Sequence, residues 1–221
     1  TAYGVYQGLL AALKEKNLDL KQSKVAIQGA GAVVHYLLFG FPEEPFYQEA
    51  RRRFKGLLHL CHEIFICDIS ETALEKLNSL YRTEGSFPAK LTVVEPSKIF
   101  DFPVHVFMPC ALGGILTLAN VMKLSQQETL IIAGCANSQL PSLEKGDFEA
   151  ADEALKKAGI LYLPDYGLNV GGVAIINYEL RKRALGQSFV MEEALTELEK
   201  IQSRLEQVIE TATKENLPTG C

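Results

Sequence analysis

The chain has 221 residues, of which 48% are hydrophobic and 22% charged, with a net charge of −5 at neutral pH. This length suits one sizeable core or one domain with an appendage. The acidic balance argues against nucleic acid or an anionic membrane surface as a partner. The apolar stretch 102–122 is interrupted by Pro103, Pro109 and Gly113, so it predicts a buried strand, a loop and a helix rather than a membrane span.

The first part of the chain reads as a helix followed by a strand, a glycine turn and a second helix. Apolar residues at three- and four-residue steps predict an amphipathic helix over 2–16. A β-branched strand over 25–27 leads into Gly29 and Gly31, and an apolar helix follows. The stretch 43–60 is predicted to be a further helix with a basic, solvated face. That face holds Arg51, Arg52, Arg53 and Lys55.

The later strands alternate with helices. Strands are predicted over 63–68, 91–94, 104–107, 129–133 and 160–162, and helices from 70 onward, over 147–157 and over 192–214. The strands are continuously apolar, as in a parallel sheet that is covered on both faces. We therefore predict an α/β protein with a Rossmann-like doubly wound parallel sheet, helices on both faces and a long C-terminal helix. That last helix is expected to pack on its own domain, with an interdomain or subunit contact as the alternative.

The glycine turn has a spacing that can bind phosphate. In a strand–turn–helix unit, the first glycine forms the tight turn and the second lets the main chain approach a pyrophosphate at the helix N-terminus. Here the pattern is G-x-G-x-x-V, with Val34 in place of the usual small third residue. By itself the pattern fits an ordinary glycine turn equally well.

Three further stretches follow strands on the same side of the predicted sheet, over 108–114, 133–139 and 163–172. Each is rich in small residues, and two contain an amide side chain, Asn137 and Asn169. Ligands of open α/β sheets lie beyond the carboxyl ends of the strands. We therefore expect these loops to line a ligand site.

The five cysteines are Cys61, Cys67, Cys110, Cys135 and Cys221. They form no C-x-x-C pair and have no ligand-like spacing with the four histidines. This usage predicts reduced, mostly buried thiols, no metal site and a cytoplasmic location.

Several motifs in chain order resemble one known family. They are Thr-Ala-Tyr-Gly-Val at 1–5, the glycine turn, Cys-Asp-Ile at 67–69, Pro-Cys-Ala-Leu-Gly-Gly at 109–114, Ile-Ala-Gly-Cys-Ala-Asn-Ser-Gln-Leu at 132–140 and Tyr-Leu-Pro-Asp-Tyr-Gly-Leu-Asn-Val-Gly-Gly-Val at 162–173. Together they resemble the nucleotide-binding domain of the Glu/Leu/Phe/Val dehydrogenases, with leucine dehydrogenases the most similar. The resemblance implies NAD-dependent, reversible oxidative deamination of an L-amino acid to its 2-oxo acid and ammonia.

The resemblance also implies roles for individual residues. The implied NAD-contacting residues are Thr1, Gly29, Ala30, Gly31, Ala32, Val33, Asp68, Ile69, Pro109, Cys110, Ala111 and Asn137. Among them, Gly29 and Gly31 would line the pyrophosphate and Asp68 would bind the adenosine ribose. Thr1 would lie near the nicotinamide amide, and Asn137 would hold the nicotinamide end. Leucine enzymes often have the latter amide one place later, where this chain has Ser138.

The substrate-contacting residues follow from the same resemblance. Asn169 would face the amino acid near its carboxylate, and Val173 and Ile176 would form part of the side-chain pocket. Their aliphatic surface favours a branched aliphatic substrate over a charged one.

The chain departs from the family pattern in ways that affect these expectations. Asp68 follows Gly29 by 39 positions, where about 20 is usual, so we predict a helical insertion at about 41–60. Gly167 and Val170 replace the usual aliphatic residue and alanine of the last loop. The domain with the catalytic lysines is missing from the 221 residues, so residues 1–221 are expected to be a dinucleotide-binding domain without catalytic residues of its own.

Three alternatives stay open at this point. The parent could be a phenylalanine- or valine-type dehydrogenase, because half of the pocket is missing. The chain could also be a non-catalytic dinucleotide-sensing or assembly domain. For the full-length protein the resemblance implies a homo-oligomer.

Overall fold

The structure is a computed structural model that describes residues 1–83, 85–141 and 147–220. Its six strands are β1 (Lys24–Gln28), β2 (Glu63–Cys67), β3 (Lys90–Val93), β4 (Val106–Pro109), β5 (Ile131–Ile132) and β6 (Leu161–Tyr162). Its α-helices are α1 (Ala2–Glu15), α2 (Ala32–Phe39), α3 (Gln48–Arg53), α4 (Glu71–Thr83), α5 (Leu118–Ser125), α6 (Asp147–Lys157), α7 (Asp165–Leu168), α8 (Gly171–Ala184) and α9 (Met191–Glu215).

The strands form one parallel sheet in the order β3-β2-β1-β4-β5-β6. The chain runs outward from β1 to β3, then returns to the other side of β1 to begin β4. This reversal between β1 and β4 is the topological switch point, where ligands of open α/β sheets bind. The predicted doubly wound parallel sheet is confirmed.

Each face of the sheet has its own hydrophobic core, because alternate strand residues point to opposite faces. In β1, Val25 and Ile27 join a core with residues of α1, α2 and α9, whereas Ala26 joins a second core with residues of α5 and α6. Val34, the unusual third residue of the glycine pattern, is 1% exposed in the first core. A larger residue is therefore accommodated where α2 packs on the sheet.

The prediction of a single helix over 43–60 is wrong. The segment contains 3-10 turns at Pro45–Tyr47 and Leu57–His59 around the short helix α3. Phe54, directly after α3, is extended, and Gly56 has a φ of 93°. A side chain on Gly56 would lie 2.3 Å from the Leu38 carbonyl oxygen, so this close approach to the end of α2 requires glycine and ends the helix.

One residue of the predicted basic face, Arg53, is less solvated than expected, whereas Arg52 and Lys55 are exposed. Arg53 has only 19% of its side chain exposed and pairs with Glu49 and with Glu199 of α9. Arg51 pairs with Glu43 and Arg52 with Glu49. These ion pairs connect the segment to itself and to α9.

Other elements match the prediction more closely. The helix 147–157 is confirmed at both ends, and α9 extends one residue beyond each predicted end. The buried stripe of α9 packs on α1, α7 and α8, which supports its expected packing on its own domain. β4 begins two residues later than predicted, β5 is shorter, and α8 was not predicted.

The thiols and the helix lengths also bear on the predictions. Cys61, Cys67 and Cys135 are buried, Cys110 is half-buried, and none of these four forms a disulfide. Cys221 lies outside the described residues.

Among the residues that the structure describes, no helix is both long and apolar enough to cross a membrane.

Candidate functional site

The glycine turn is held between the ends of β2 and β4. Gly29 has a φ of 111°, and its N–H donates to the Cys67 carbonyl oxygen at 2.7 Å. On the other side, the Cys110 N–H donates to the Gln28 carbonyl oxygen at 2.8 Å. A Cβ on Gly29 would lie 2.9 Å from the Cys110 carbonyl carbon. Both the left-handed backbone and the close contact require glycine here.

Asp68 connects the tip of β2 to this turn. One of its carboxylate oxygens accepts from the Ala30 N–H at 2.6 Å, and the other accepts from the Ser70 N–H at 2.8 Å. A carboxylate has about four acceptor positions, so both oxygens can accept further hydrogen bonds. The 39-position separation from Gly29 therefore does not remove Asp68 from the turn, because β2 pairs in parallel with β1 and Cys67 lies opposite Gln28.

The N-terminus of α2 faces open space. Gly31 is its N-cap and supplies no side-chain acceptor, so the first N–H groups of the helix lack a capping side chain. A Cβ on Gly31 would meet no atom within 4 Å. Ala32 is exposed and Val33 half-buried. Unsatisfied N–H groups at a helix N-terminus suit a phosphate group.

The loop after β4 lies beside this turn and contacts the loop after β5. Pro109 is buried, Cys110 half-buried and Ala111 exposed. A Cβ on Gly113 would lie 2.6 Å from the Asn137 carbonyl oxygen, so glycine allows the two loops to touch. The loops are thus continuous along the carboxyl edge of the sheet.

Hydrogen bonds join the loops after β5 and β6. Asn169 Nδ2 donates to Asn137 Oδ1 at 2.7 Å. The Ser138 N–H donates to the Asp165 carboxylate at 2.9 Å, although Ser138 has a left-handed φ of 50°. The two predicted amides therefore contact each other, which links the two parts of the predicted site.

Gln139 supports the β5 loop from inside. It is fully buried, and its Nε2 donates to the Gly134 and Ala136 carbonyl oxygens at 2.8 and 2.9 Å. Neither Gln139 nor Asp165 was selected from the sequence, because nothing local distinguishes a bracing amide or carboxylate from an ordinary loop residue. Their position within the Asn-Ser-Gln and Pro-Asp-Tyr motifs was the available signal.

Thr1 lies against the start of α8. A Cβ on Gly172 would lie 2.9 Å from Thr1 Oγ1, and one on Gly171 would lie 3.3 Å from Thr1 Cα. These glycines let the starts of α1 and α8 come together next to Asn169. Val173 and Ile176, one turn along α8, are 70% and 59% exposed. They form an exposed apolar surface on α8 that begins four residues after Asn169.

One predicted contact residue lies at the margin of this group. Ile69 is 87% exposed at the tip of β2, beyond Asp68. Leu112, which was not selected from the sequence, is another large apolar residue with high exposure, 67%, in the β4 loop.

Within the described part of the chain, no cluster of three or more His, Cys, Asp or Glu side chains could hold a metal ion.

The fold is that of known dehydrogenase structures. The crystal structure of L-tryptophan dehydrogenase from Nostoc punctiforme superposes with a TM-score of 0.72 at 29% identity, over 99% of this chain and 54% of that one. A hetero-hexameric glutamate dehydrogenase from Thermus thermophilus, 20% identical, has the same fold with a TM-score of 0.67 over 99% of this chain.

Sequence comparison identifies the family. Residues 1–219 match the model of the Glutamate/Leucine/Phenylalanine/Valine dehydrogenases, and the chain belongs to that family. Leucine dehydrogenase from Geobacillus stearothermophilus is 32% identical over 99% of this chain and 50% of that enzyme. L-tryptophan dehydrogenase from Nostoc punctiforme is 30% identical over the whole chain and 52% of that enzyme. The chain thus spans about half the length of these relatives, and the predicted family resemblance is confirmed.

Proposed function

We propose that this chain is the NAD-binding part of an amino-acid dehydrogenase that deaminates an L-amino acid to its 2-oxo acid and ammonia. The supporting observation is that Gly29, Asp68 and Cys110 lie around the switch point at the carboxyl edge of the sheet, and that the loops with Asn137 and Asn169 continue along the same edge. The residues present fit a dinucleotide, because the α2 N-terminus is uncapped and the space in front of Gly31 is open.

Each part of this edge has a role in the proposal. The N–H groups after Gly31 bind the pyrophosphate, and Asp68 accepts hydrogen bonds from the adenosine ribose. The exposed Ile69 packs against the adenine, which removes its apolar surface from water. Pro109, Cys110 and Ala111 line the middle of the dinucleotide.

The nicotinamide end lies toward Thr1 and Asn137. Asn137 orients the nicotinamide, and its hydrogen bond to Asn169 couples that position to the substrate carboxylate. Bound NAD supplies the hydride acceptor for oxidation of the amino acid. We propose no catalytic residue within these 221 positions, so the groups that move protons lie elsewhere in the whole protein.

Asp68 supports NAD rather than NADP as the cofactor. A carboxylate at the ribose position accepts hydrogen bonds from the 2′-hydroxyl and repels a 2′-phosphate. Both Asp68 oxygens are held in place by backbone N–H groups, so the charge cannot turn away without breaking them. NADPH is therefore expected to bind more weakly than NADH.

The aliphatic surface of α8 supports an apolar substrate. Val173 and Ile176 would contact the substrate side chain, and a charged side chain against them would lose its hydration without gaining a partner. A branched-chain amino acid such as leucine fits this surface. The similarity to L-tryptophan dehydrogenase makes an aromatic amino acid the second candidate.

Two further features of the whole protein stay predictions. The four described thiols are free, which supports a reducing compartment such as the cytoplasm. Homo-oligomer formation rests on the family resemblance alone.

Kinetic assays of the whole protein with leucine, valine, phenylalanine, tryptophan and glutamate test the substrate class.

Calorimetry with NADH and the Gly31→Val variant tests the binding site. Gly31 has a φ of −74°, which any residue adopts, and its added side chain would meet only open space. We expect the variant to fold as stably as the parent. Its side chain should nevertheless weaken NADH binding by about tenfold or more, equivalent to about 1.4 kcal/mol, because it enters the space proposed for the pyrophosphate.

Ala158→Val is the control, since it places the same valine side chain in an exposed turn between α6 and β6, at the amino edge of the sheet. It should leave NADH affinity unchanged. Asp68→Ala should reduce the preference for NADH over NADPH. Equal NADH affinity in the parent and Gly31→Val, or no binding by the parent at millimolar NADH, would contradict the proposal and favour the sensing or assembly alternative.

A further inference from the structure

Two thiols meet at the carboxyl edge of the sheet. β4 and β5 are paired in parallel register, with Phe107 opposite Ile132, and the Ala133 N–H continues the ladder to the Phe107 carbonyl oxygen at 3.0 Å. The next hydrogen bond is shifted by one residue, because the Ala136 N–H, and not the Cys135 N–H, donates to the Pro109 carbonyl oxygen at 3.0 Å. This slip forms a bulge that contains Cys135 beside Pro109 and Cys110.

The backbone segments that carry these two side chains are in contact. A Cβ on Gly134 would lie 2.0 Å from the Pro109 carbonyl oxygen, so the two loops are in direct contact. Neighbouring strands lie about 4.8 Å apart, and disulfides span Cα separations of roughly 4.4–6.8 Å. The Cys110 and Cys135 thiols interact, and each shifts the pKa of the other.

This contact makes the two thiols unequal. The Cys110 thiol donates toward Cys135, which lowers the pKa of Cys135 and raises the pKa of Cys110. Thiolate is the nucleophilic form, so Cys135 is the more reactive partner and Cys110 is placed to resolve its oxidation product. In contrast, burial raises the pKa of Cys61 to about 12 and that of Cys67 to about 11. Those two thiols are therefore expected to stay unreactive.

The pair also adjoins the proposed cofactor site. The Cys110 N–H is bound to the Gln28 carbonyl oxygen, and Gly29 packs against the Cys110 backbone. Cys135 belongs to the loop that contains Asn137. A link between the two side chains would thus join the loop beside the glycine turn to the loop that holds the nicotinamide end.

We propose that Cys110 and Cys135 are an oxidation site that forms a reversible disulfide and thereby weakens dinucleotide binding. The oxidant is a peroxide. The Cys135 thiolate attacks one peroxide oxygen and breaks the O–O bond, which gives a sulfenic acid and hydroxide. The Cys110 sulfur then attacks the sulfenic sulfur, the S–O bond breaks, and its hydroxide leaves as water with the Cys110 proton.

The electrons balance in this sequence. Two thiols lose two electrons in total and one peroxide gains them, so a disulfide and two water molecules form from hydrogen peroxide. A small dithiol reverses the reaction by exchange. The effect on binding rests on the proposed function, whereas formation of the disulfide does not.

The experiment combines peptide mapping with calorimetry on the 221-residue chain. The protein is treated with a small molar excess of hydrogen peroxide, free thiols are alkylated, and peptides are analysed by mass spectrometry without reduction. We expect a Cys110–Cys135 linked peptide and unlinked Cys61 and Cys67. NADH affinity should fall by about tenfold, within the usual range for coupled sites, and dithiothreitol should restore it.

Two variants separate this site from other thiols. Cys135→Ser should lose both the linked peptide and the response of NADH affinity to peroxide. Cys221→Ser should keep both, which excludes the C-terminal thiol as the partner. Absence of the Cys110–Cys135 peptide, or its presence with unchanged NADH affinity, would overturn the proposal. If the reduced chain does not bind NADH, the proposed function fails while peptide mapping still decides whether the disulfide forms.

Discussion

At the scale of single residues, the site depends on backbone conformations that few side chains adopt. Gly29 has the left-handed backbone that the turn needs, without a side chain to obstruct Cys110. Ser138 adopts a similar left-handed conformation although it is not glycine. Its N–H bond to Asp165 compensates part of the cost, because that bond holds the loop in place. Ser138 is thus a strained residue next to Asn137 in the loop after β5.

Replacing Ser138 with asparagine is expected to stabilise the protein. Asparagine tolerates the left-handed region better than serine, so Ser138→Asn should raise the free energy of unfolding by about 0.5–1 kcal/mol. Ser138 is exposed, so the larger side chain has room. Urea denaturation measures the difference. Ser203→Asn, on the exposed face of α9, is the control and should change stability little; equal effects of the two variants would rule out relief of strain at Ser138.

At the scale of elements, Arg53 joins the 41–60 segment to the long C-terminal helix. Its Nε donates to Glu49 at 2.7 Å within α3, and its Nη1 donates to Glu199 of α9 at 2.9 Å. Glu199 also accepts from the Tyr3 hydroxyl at 2.7 Å, so α1, α3 and α9 meet at one carboxylate. Burial and the contact with Glu199 raise the pKa of Tyr3.

Arg53→Ala is expected to lower the free energy of unfolding by about 1–2 kcal/mol, because it leaves the half-buried Glu199 carboxylate without its charged partner. Arg52→Ala is a matched control, since Arg52 also pairs with Glu49 but has 74% of its side chain exposed. It should cost less than about 0.5 kcal/mol, as exposed ion pairs do. Equal losses in thermal or urea unfolding would show that Arg53 does not connect the elements.

The same contact predicts a pH dependence. Hydrogen bonding to Arg53 lowers the pKa of Glu49 in the folded chain. The stability from this pair is therefore full above the ordinary glutamate pKa of about 4.3 and is lost as the pH falls through the lowered value. The stability difference between the parent and Arg53→Ala should shrink under those acidic conditions. A difference that stays constant on acidification would show that the pair contributes through packing alone.

At the scale of the whole molecule, α9 closes the core on one face of the sheet. Seven residues along its length are buried, and Leu205 among them is 1% exposed and approaches Gly8 of α1. A Cβ on Gly8 would lie 2.8 Å from Leu205 Cδ1, so the two helices pack at close range. The helix is thus part of the domain, whatever else it contacts in the whole protein.

Leu205→Ala should therefore destabilise the chain by about 2–5 kcal/mol, through lost burial and the cavity that remains. Leu185→Ala removes the same atoms from a side chain that is 71% exposed, and it should change stability by less than about 0.5 kcal/mol. Thermal unfolding of both variants checks the prediction. A small loss for Leu205→Ala would mean that α9 contributes little to the core.

Much of the fold could be predicted from the sequence, because its signals are local. Continuous apolar strands between helices predicted the parallel sheet, and the glycine turn before α2 was recognised from its spacing. The stretch 43–60 has helix-forming residues that predict one helix. The close contact between Gly56 and the end of α2 prevents a continuous helix there, and this contact is not visible in the sequence. The start of α8 at Gly171 also gave no periodic signal, because α8 buries few residues.

The sequence by itself determined the alternation of strands and helices, the position of the glycine turn and membership of the dehydrogenase family. Each of these depends on residues close together in the chain, or on motifs in chain order. Only the tertiary structure decided that Asn137 contacts Asn169, that Asp68 holds the glycine turn and that Cys110 lies beside Cys135. Those contacts join residues 25 or more positions apart, and they form because parallel pairing brings the ends of neighbouring strands to one edge.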